Sequence, residues 1–143
     1  MTQRTGTNTA PPEVIEAIKD AVRVHLKGQT ALAVQQLSSL VAQFPNLTII
    51  HSYLGWLLSE SGQPNKAIEH ARQATLLSPF SEKASLVLFT VLWEAGQRTQ
   101  ALDEMKRVVA IGTSKAYSDL VDQMEQIMSK EGDNSVTNNS VTN

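Results

Sequence analysis

The stretch "GQPNKAIEHARQATLLSP", Gly62 to Pro79, decides the fold. A helix-forming run opens just after a glycine, carries alanine at Ala67, Ala71 and Ala74, and stops at a proline. Alanines three and four residues apart make one smooth, narrow stripe on a helix, the surface needed when a second helix must lie very close. Glycine accepts the left-handed conformation that ends a preceding helix, and the residue before proline is pushed out of the helical region. The stretch therefore reads as the second helix of a hairpin.

The pattern recurs. Gly28, Gly62 and Gly96 stand 34 residues apart, followed in the same register by Ala33, Ala67 and Ala101 and then by Pro45, Pro79 and Thr113. Val24, Leu58 and Leu92 precede the three glycines by one helical turn. Leu37 and Leu40, Ala71 and Ala74, and Met105 and Val108 supply apolar positions at helical spacing in each second helix. The chain is thus expected to be all-α, built from three antiparallel helical hairpins over residues 14–47, 48–81 and 82–115.

Beyond them, "SKAYSDLVDQMEQIMSK" sets Tyr117, Leu120, Val121, Met124, Ile127 and Met128 on one face. This predicts a seventh, amphipathic helix over 114–130 that caps the exposed flank of the last hairpin, as repeat arrays require, with dimerisation as the other use of that face. The folded domain is expected to span 11–130. Residues 1–10 and the tail 131–143 are rich in Thr, Asn, Ser and Gly and offer too little apolar surface to offset chain entropy, so both are expected to be disordered.

Composition narrows the function. With 143 residues, 41% hydrophobic and 18% charged, one soluble domain is expected. A net charge of −2 gives no footprint for nucleic acid or an anionic membrane. There is no cysteine, which rules out disulfides and thiolate metal sites and fits a reducing compartment. The N-terminus "MTQRTGTNTAPP" is no secretory signal, and no 18-residue apolar window occurs, so membrane insertion is not expected and the cytoplasm is the expected location.

Catalytic motifs are missing from the chain. His25, His51 and His70 have no acidic or histidine residue four positions on, and the neighbours Glu69-His70 and Asp103-Glu104 diverge around their helices and read as solvated faces. Neither enzyme activity, nor a metal, nor a cofactor is expected.

A 34-residue period with this glycine, alanine and proline pattern resembles the tetratricopeptide repeat family. The middle unit matches best, with Leu54 and Gly55 in "YLGWLL" followed by Gly62, Ala67, Ala74 and Pro79. The outer units depart from the pattern: Asp20 stands for the leucine, Phe89 for the small residue and Thr113 for the proline. Ala17, His51 and Ser85 occupy the place of the family's early tryptophan, where His51 is expected to be a half-buried spacer.

The resemblance implies a superhelix whose first helices line a concave groove. In register, the groove residues are Ile15, Ile49 and Lys83; Ile18, Ser52 and Leu86; Lys19, Tyr53 and Val87; Val22, Trp56 and Thr90; and His25, Ser59 and Trp93. For the first hairpin an alternative stands open, that Ile15, Ile18 and Val22 pack against the N-terminal arm or the next hairpin. Trp56 and Trp93 are of the type that anchors interfaces, since Leu54, Leu57 and Leu58, and Leu88, Val91 and Leu92, already supply the packing faces.

In family members that clamp acidic chaperone tails, the matching positions here hold Ile18, Val22, Tyr53, Lys83 and Val87, so only Lys83 fits and that use is rejected. The expected function is a protein-binding adaptor or chaperone whose groove takes an apolar or amphipathic peptide. The size and plan also resemble the chaperones of bacterial secretion systems. A rival expectation is a self-assembling scaffold built by head-to-tail contacts, a homo-oligomer rather than a monomer or closed dimer.

Overall fold

The structure, a computed structural model, describes residues 8–112 and 114–142, with side chains as far as Lys130. Seven helices follow one another: α1 (Pro12–Leu26), α2 (Thr30–Gln43), α3 (Thr48–Glu60), α4 (Pro64–Leu77), α5 (Glu82–Glu94), α6 (Arg98–Ala110) and α7 (Lys115–Thr142). No strand occurs among the described residues. α1 pairs with α2, α3 with α4 and α5 with α6, while α3 also touches α1, α2 and α5, and α7 lies on α6. The result is the expected stack of three hairpins with a capping helix.

The repeated glycines work as the spacing predicts. Gly28, Gly62 and Gly96 adopt φ of 88°, 78° and 82°, a region open to glycine and strained for other residues. Each lets the following amide turn back, so that Gln29, Gln63 and Gln97 donate to the carbonyls of Val24, Leu58 and Leu92 at 3.1, 2.9 and 2.9 Å. This is the Schellman closure, which satisfies carbonyls that the helix end leaves without partners. The apolar residue one turn before each glycine is therefore part of the stop signal. The third hairpin ends differently: Gly112 at φ 86° closes α6, where α2 and α4 run into Pro45 and Pro79. Thr113 lies outside the described residues.

Packing is tightest in the middle hairpin. A Cβ added at Gly55 would sit 3.1 Å from the Ala67 carbonyl oxygen and 3.2 Å from the Ala71 amide nitrogen, against backbone that cannot swing aside. Ala67, Ala71 and Ala74 are all fully buried. The same register position holds Ala21 in the first hairpin and Phe89 in the third, both buried. Leu54, Leu57, Leu58, Leu88, Val91 and Leu92 form the core as expected, each such burial contributing about 1.5–3 kcal/mol.

α7 is seated by Tyr117 and Val121, both buried, with Leu120, Met124 and Met128 packed behind them. The Tyr117 hydroxyl lies 2.5 Å from Ser85 Oγ on α5, and Lys106 Nζ of α6 pairs with Glu125 at 2.9 Å. The helix is longer than the expected 114–130. The side chains of the segment read as a tail, 131–143, lie outside the described residues.

At the other end, residues 1–7 of the expected disordered arm lie outside the described residues, but Asn8 is docked. Its Oδ1 accepts from Thr48 N at 2.6 Å and its Nδ2 donates to the Asn46 carbonyl at 2.8 Å. Leu47 precedes α3 without a side chain able to cap it, so Asn8 supplies the cap from 40 residues away.

Candidate functional site

The period-three and period-four spacing that buries one stripe of α3 and of α5 leaves part of each helix facing a common hollow. Between α3, α5, the α4–α5 turn and Asn8 lies a cavity of about 570 Å³. Six of the expected groove residues line it: Ile49, Ser52, Tyr53, Trp56, Lys83 and Val87. Asn8, Thr48, Ser78, Ser81 and Ala84 join them and were not expected. Four of these five carry polar side chains already in use, Thr48 Oγ1 with Ser78 Oγ at 2.6 Å, Ser81 Oγ accepting from Ala84 N, and Asn8 on α3. They come from helix starts and turns, which the register of the helix faces does not reach.

Trp56, in the wall of the cavity, is the centre of a small aromatic cluster. Tyr53 meets its ring edge-on with centroids 6.3 Å apart, and His25 of α1 does the same from 5.0 Å. His25 is held in place by a 2.8 Å contact of Nδ1 with Thr30 Oγ1. The indole is half-buried, packed on the core by one side and open on the other. A rigid aromatic whose position is set before binding loses little entropy when a ligand covers it.

The remaining expected groove residues do not line this cavity. Ile18 is a correction: it is 4% exposed and belongs to the core, because Val14, Ile18 and Ala21 form the stripe of α1 that turns inward. Val22 is half-buried against the same core, as the alternative reading for the first hairpin had it, and Ile15 is half-buried. Lys19 is exposed and pairs with Glu16 at 3.4 Å. Ser59 is half-buried; Leu86 and Thr90 are exposed, with Thr90 Oγ1 donating to the Leu86 carbonyl. Trp93 lies against Phe89, ring centroids 5.5 Å apart, under the Arg98 guanidinium at 4.7 Å. Phe89, one turn earlier on α5, takes Trp93 as its packing partner.

His70 is a second correction. It is not on a solvated face but half-buried, with Nδ1 3.1 Å from Nδ1 of His51, and His51 is buried rather than half-buried. The pairing escapes linear motifs because its members sit on the two antiparallel helices of one hairpin. Among the described residues, no group of three or more His, Asp or Glu side chains is placed to hold a metal ion, and no helix is long and apolar enough to cross a membrane.

Three solved structures share this architecture. The tetratricopeptide-repeat domain of Sgt2 from Aspergillus fumigatus superposes with a TM-score of 0.72 at 19% identity, covering 88% of this chain and 85% of that one. The first such domain of Spaghetti (RPAP3), bound to the HSP90 peptide SRMEEVD, gives 0.67 at 10% identity over 80% of this chain and 94% of its own. MamA gives 0.63 at 22% identity, covering 76% and 64%. No family model and no curated protein matches the sequence. The chain has the tetratricopeptide-repeat fold, three hairpins and a capping helix.

Proposed function

We propose that this chain is a non-enzymatic protein-binding module whose cavity between α3 and α5 takes an apolar or amphipathic segment of a partner protein, as an adaptor or chaperone would. The observation that carries this reading is the half-buried Trp56, braced by Tyr53 and His25, in the wall of a cavity of about 570 Å³. Walls of Ile49, Tyr53, Trp56, Ala84 and Val87, interspersed with small neutral polar side chains and carrying one cation, Lys83, suit an apolar anchor residue better than a run of acids. The peptide on Spaghetti carries three acidic residues in seven. An equivalent set here would have to desolvate those carboxylates with a single lysine.

The test is a peptide selection on the immobilised full chain, followed by affinity measurement on variants. Trp56→Ala is expected to keep the helical signal and weaken the selected peptides by about 2 kcal/mol or more, roughly thirtyfold. Lys66→Ala, on the exposed side of α4, is expected to be neutral. A folded Trp56→Ala that binds every selected peptide unchanged would move the binding surface elsewhere.

One observation favours a self-assembling reading as well. Leu76 and Phe80, at the end of α4 and in the turn beyond it, are 74% and 77% exposed and supply apolar side chains that a second copy's cavity could receive. Light scattering across a concentration series, with Phe80→Asp as the comparison, separates the two: a mass that grows with concentration and collapses in the variant supports head-to-tail assembly.

A further inference from the structure

Three side-chain links gather at the start of α3. Asn8 caps α3, Thr48 bonds Ser78, and His51 bridges the α2–α3 connection to α4. The histidine link is the one that can take up protons. His51 Nε2 lies 2.7 Å from the Pro45 carbonyl oxygen, and the two imidazole planes are within 25° of parallel with centroids 5.3 Å apart.

The proton positions follow from the acceptors. A carbonyl oxygen only accepts, so Nε2 of His51 carries its proton and neutral His51 presents a lone pair at Nδ1. The 3.1 Å contact between the two Nδ1 atoms is then a hydrogen bond only if His70 donates, which fixes His70 as the Nδ1–H tautomer. One more proton can be added at His70 Nε2 with the bond intact. A second has only Nδ1 of His51 to go to, and there it would set two N–H groups against each other.

We propose that the His51–His70 pair is an acid-sensitive latch between α3 and α4: taking up two protons breaks it and loosens the start of α3, which carries the cavity residues Thr48, Ile49 and Ser52. This holds whatever occupies the cavity.

The surroundings agree. Burial lowers the affinity of His70 for its proton, and the neighbouring His51 and Lys66 lower it further against the opposing pull of Glu69. α2 carries no ionisable side chain, and the charged or titratable groups that bear on His70 are His51 of α3 and Lys66 and Glu69 of its own helix. A proton held less tightly in the folded chain makes stability complete above the ordinary histidine value of 6.5 and lost as pH falls through it. Each proton that the folded state refuses lowers the folding constant by up to about tenfold per pH unit.

The experiment is nitrogen-15 NMR on the full chain, combined with amide exchange of residues 48–52 compared with α6. At neutral pH, His51 is expected as the Nε2–H tautomer and His70 as the rarer Nδ1–H tautomer. Between about pH 7 and about pH 5.5, protection of residues 48–52 relative to α6 is expected to fall by about tenfold or more. In His70→Gln the side-chain amide can donate to, or accept from, His51 Nδ1, so this acid response is expected to vanish. Two Nε2–H tautomers in the native chain would overturn the proposal even if the variant failed to fold. So would an acid response of residues 48–52 that His70→Gln leaves unchanged.

Discussion

The contact between Ser85 and Tyr117 seats α7 on the third hairpin, and removing its two halves separately or together gives a sharp test of that seating. Ser85 is 0% and Tyr117 6% exposed, with their hydroxyls 2.5 Å apart, so each is the other's partner within a buried seam. Ser85→Ala leaves the phenol without its partner, and Tyr117→Phe does the same to the serine. A buried hydroxyl left unpaired costs about 1–3 kcal/mol, while removing both partners can be nearly neutral.

Each single variant is therefore expected to lose about 1–2 kcal/mol, and the double variant about 1 kcal/mol less than the sum of the two. For a chain of this length, every 1 kcal/mol lowers Tm by roughly 2–4 °C. Urea unfolding followed by circular dichroism at 222 nm measures all four proteins, and an unchanged m value keeps the comparison clean. Additive losses, with coupling below about 0.3 kcal/mol, would refute the reasoning, because they would mean the hydroxyls do not meet and α7 is not seated by this bond.

Three further outcomes are expected. Burial holds the Tyr117 phenol above its ordinary value of 10.0, although the Ser85 bond opposes this, so its contribution is complete below that pH and is lost as pH rises through it. Urea midpoints should therefore fall between about pH 9 and about pH 11, and less steeply in Tyr117→Phe. Gly55→Val should cost about 2–3 kcal/mol by thermal unfolding, since even the first carbon of a side chain meets α4 backbone at 3.1 Å; an unchanged Tm would mean the two helices separate without penalty. Asn8→Ala should lower stability by about 1 kcal/mol and raise the exchange rate of the Thr48 amide; a protected Thr48 would mean another acceptor caps α3.

The hairpins and their joints could be read from the chain because the signals are local. Gly28, Gly62 and Gly96 stop helices by a backbone conformation within a few residues, and the apolar spacing of Leu54, Leu57 and Leu58 fixes which face turns inward. Part of the cavity, including Ile49, Tyr53, Trp56 and Val87, was implied by the resemblance to the tetratricopeptide repeat family laid on that register. What register could not supply was the partner of each polar group. Ile18 lies one position from Lys19, and whether it faces the cavity or the core depends on how far α1 is rotated against α2 and α3, a property of the packed helices and not of either one.

The same limit applies to the longer links. Asn8 finds the start of α3, Ser85 finds Tyr117 of α7, and His51 finds His70 across the hairpin, partners 40, 32 and 19 positions apart in the sequence. Sequence determined where this chain bends and which stripes are apolar, because those depend on the backbone freedom of glycine and on a period of 3.6. Tertiary structure alone decided which buried hydroxyls, amides and imidazoles meet, because a hydrogen bond forms only within a few tenths of an ångström, and that precision is set by the stacking of all the helices together.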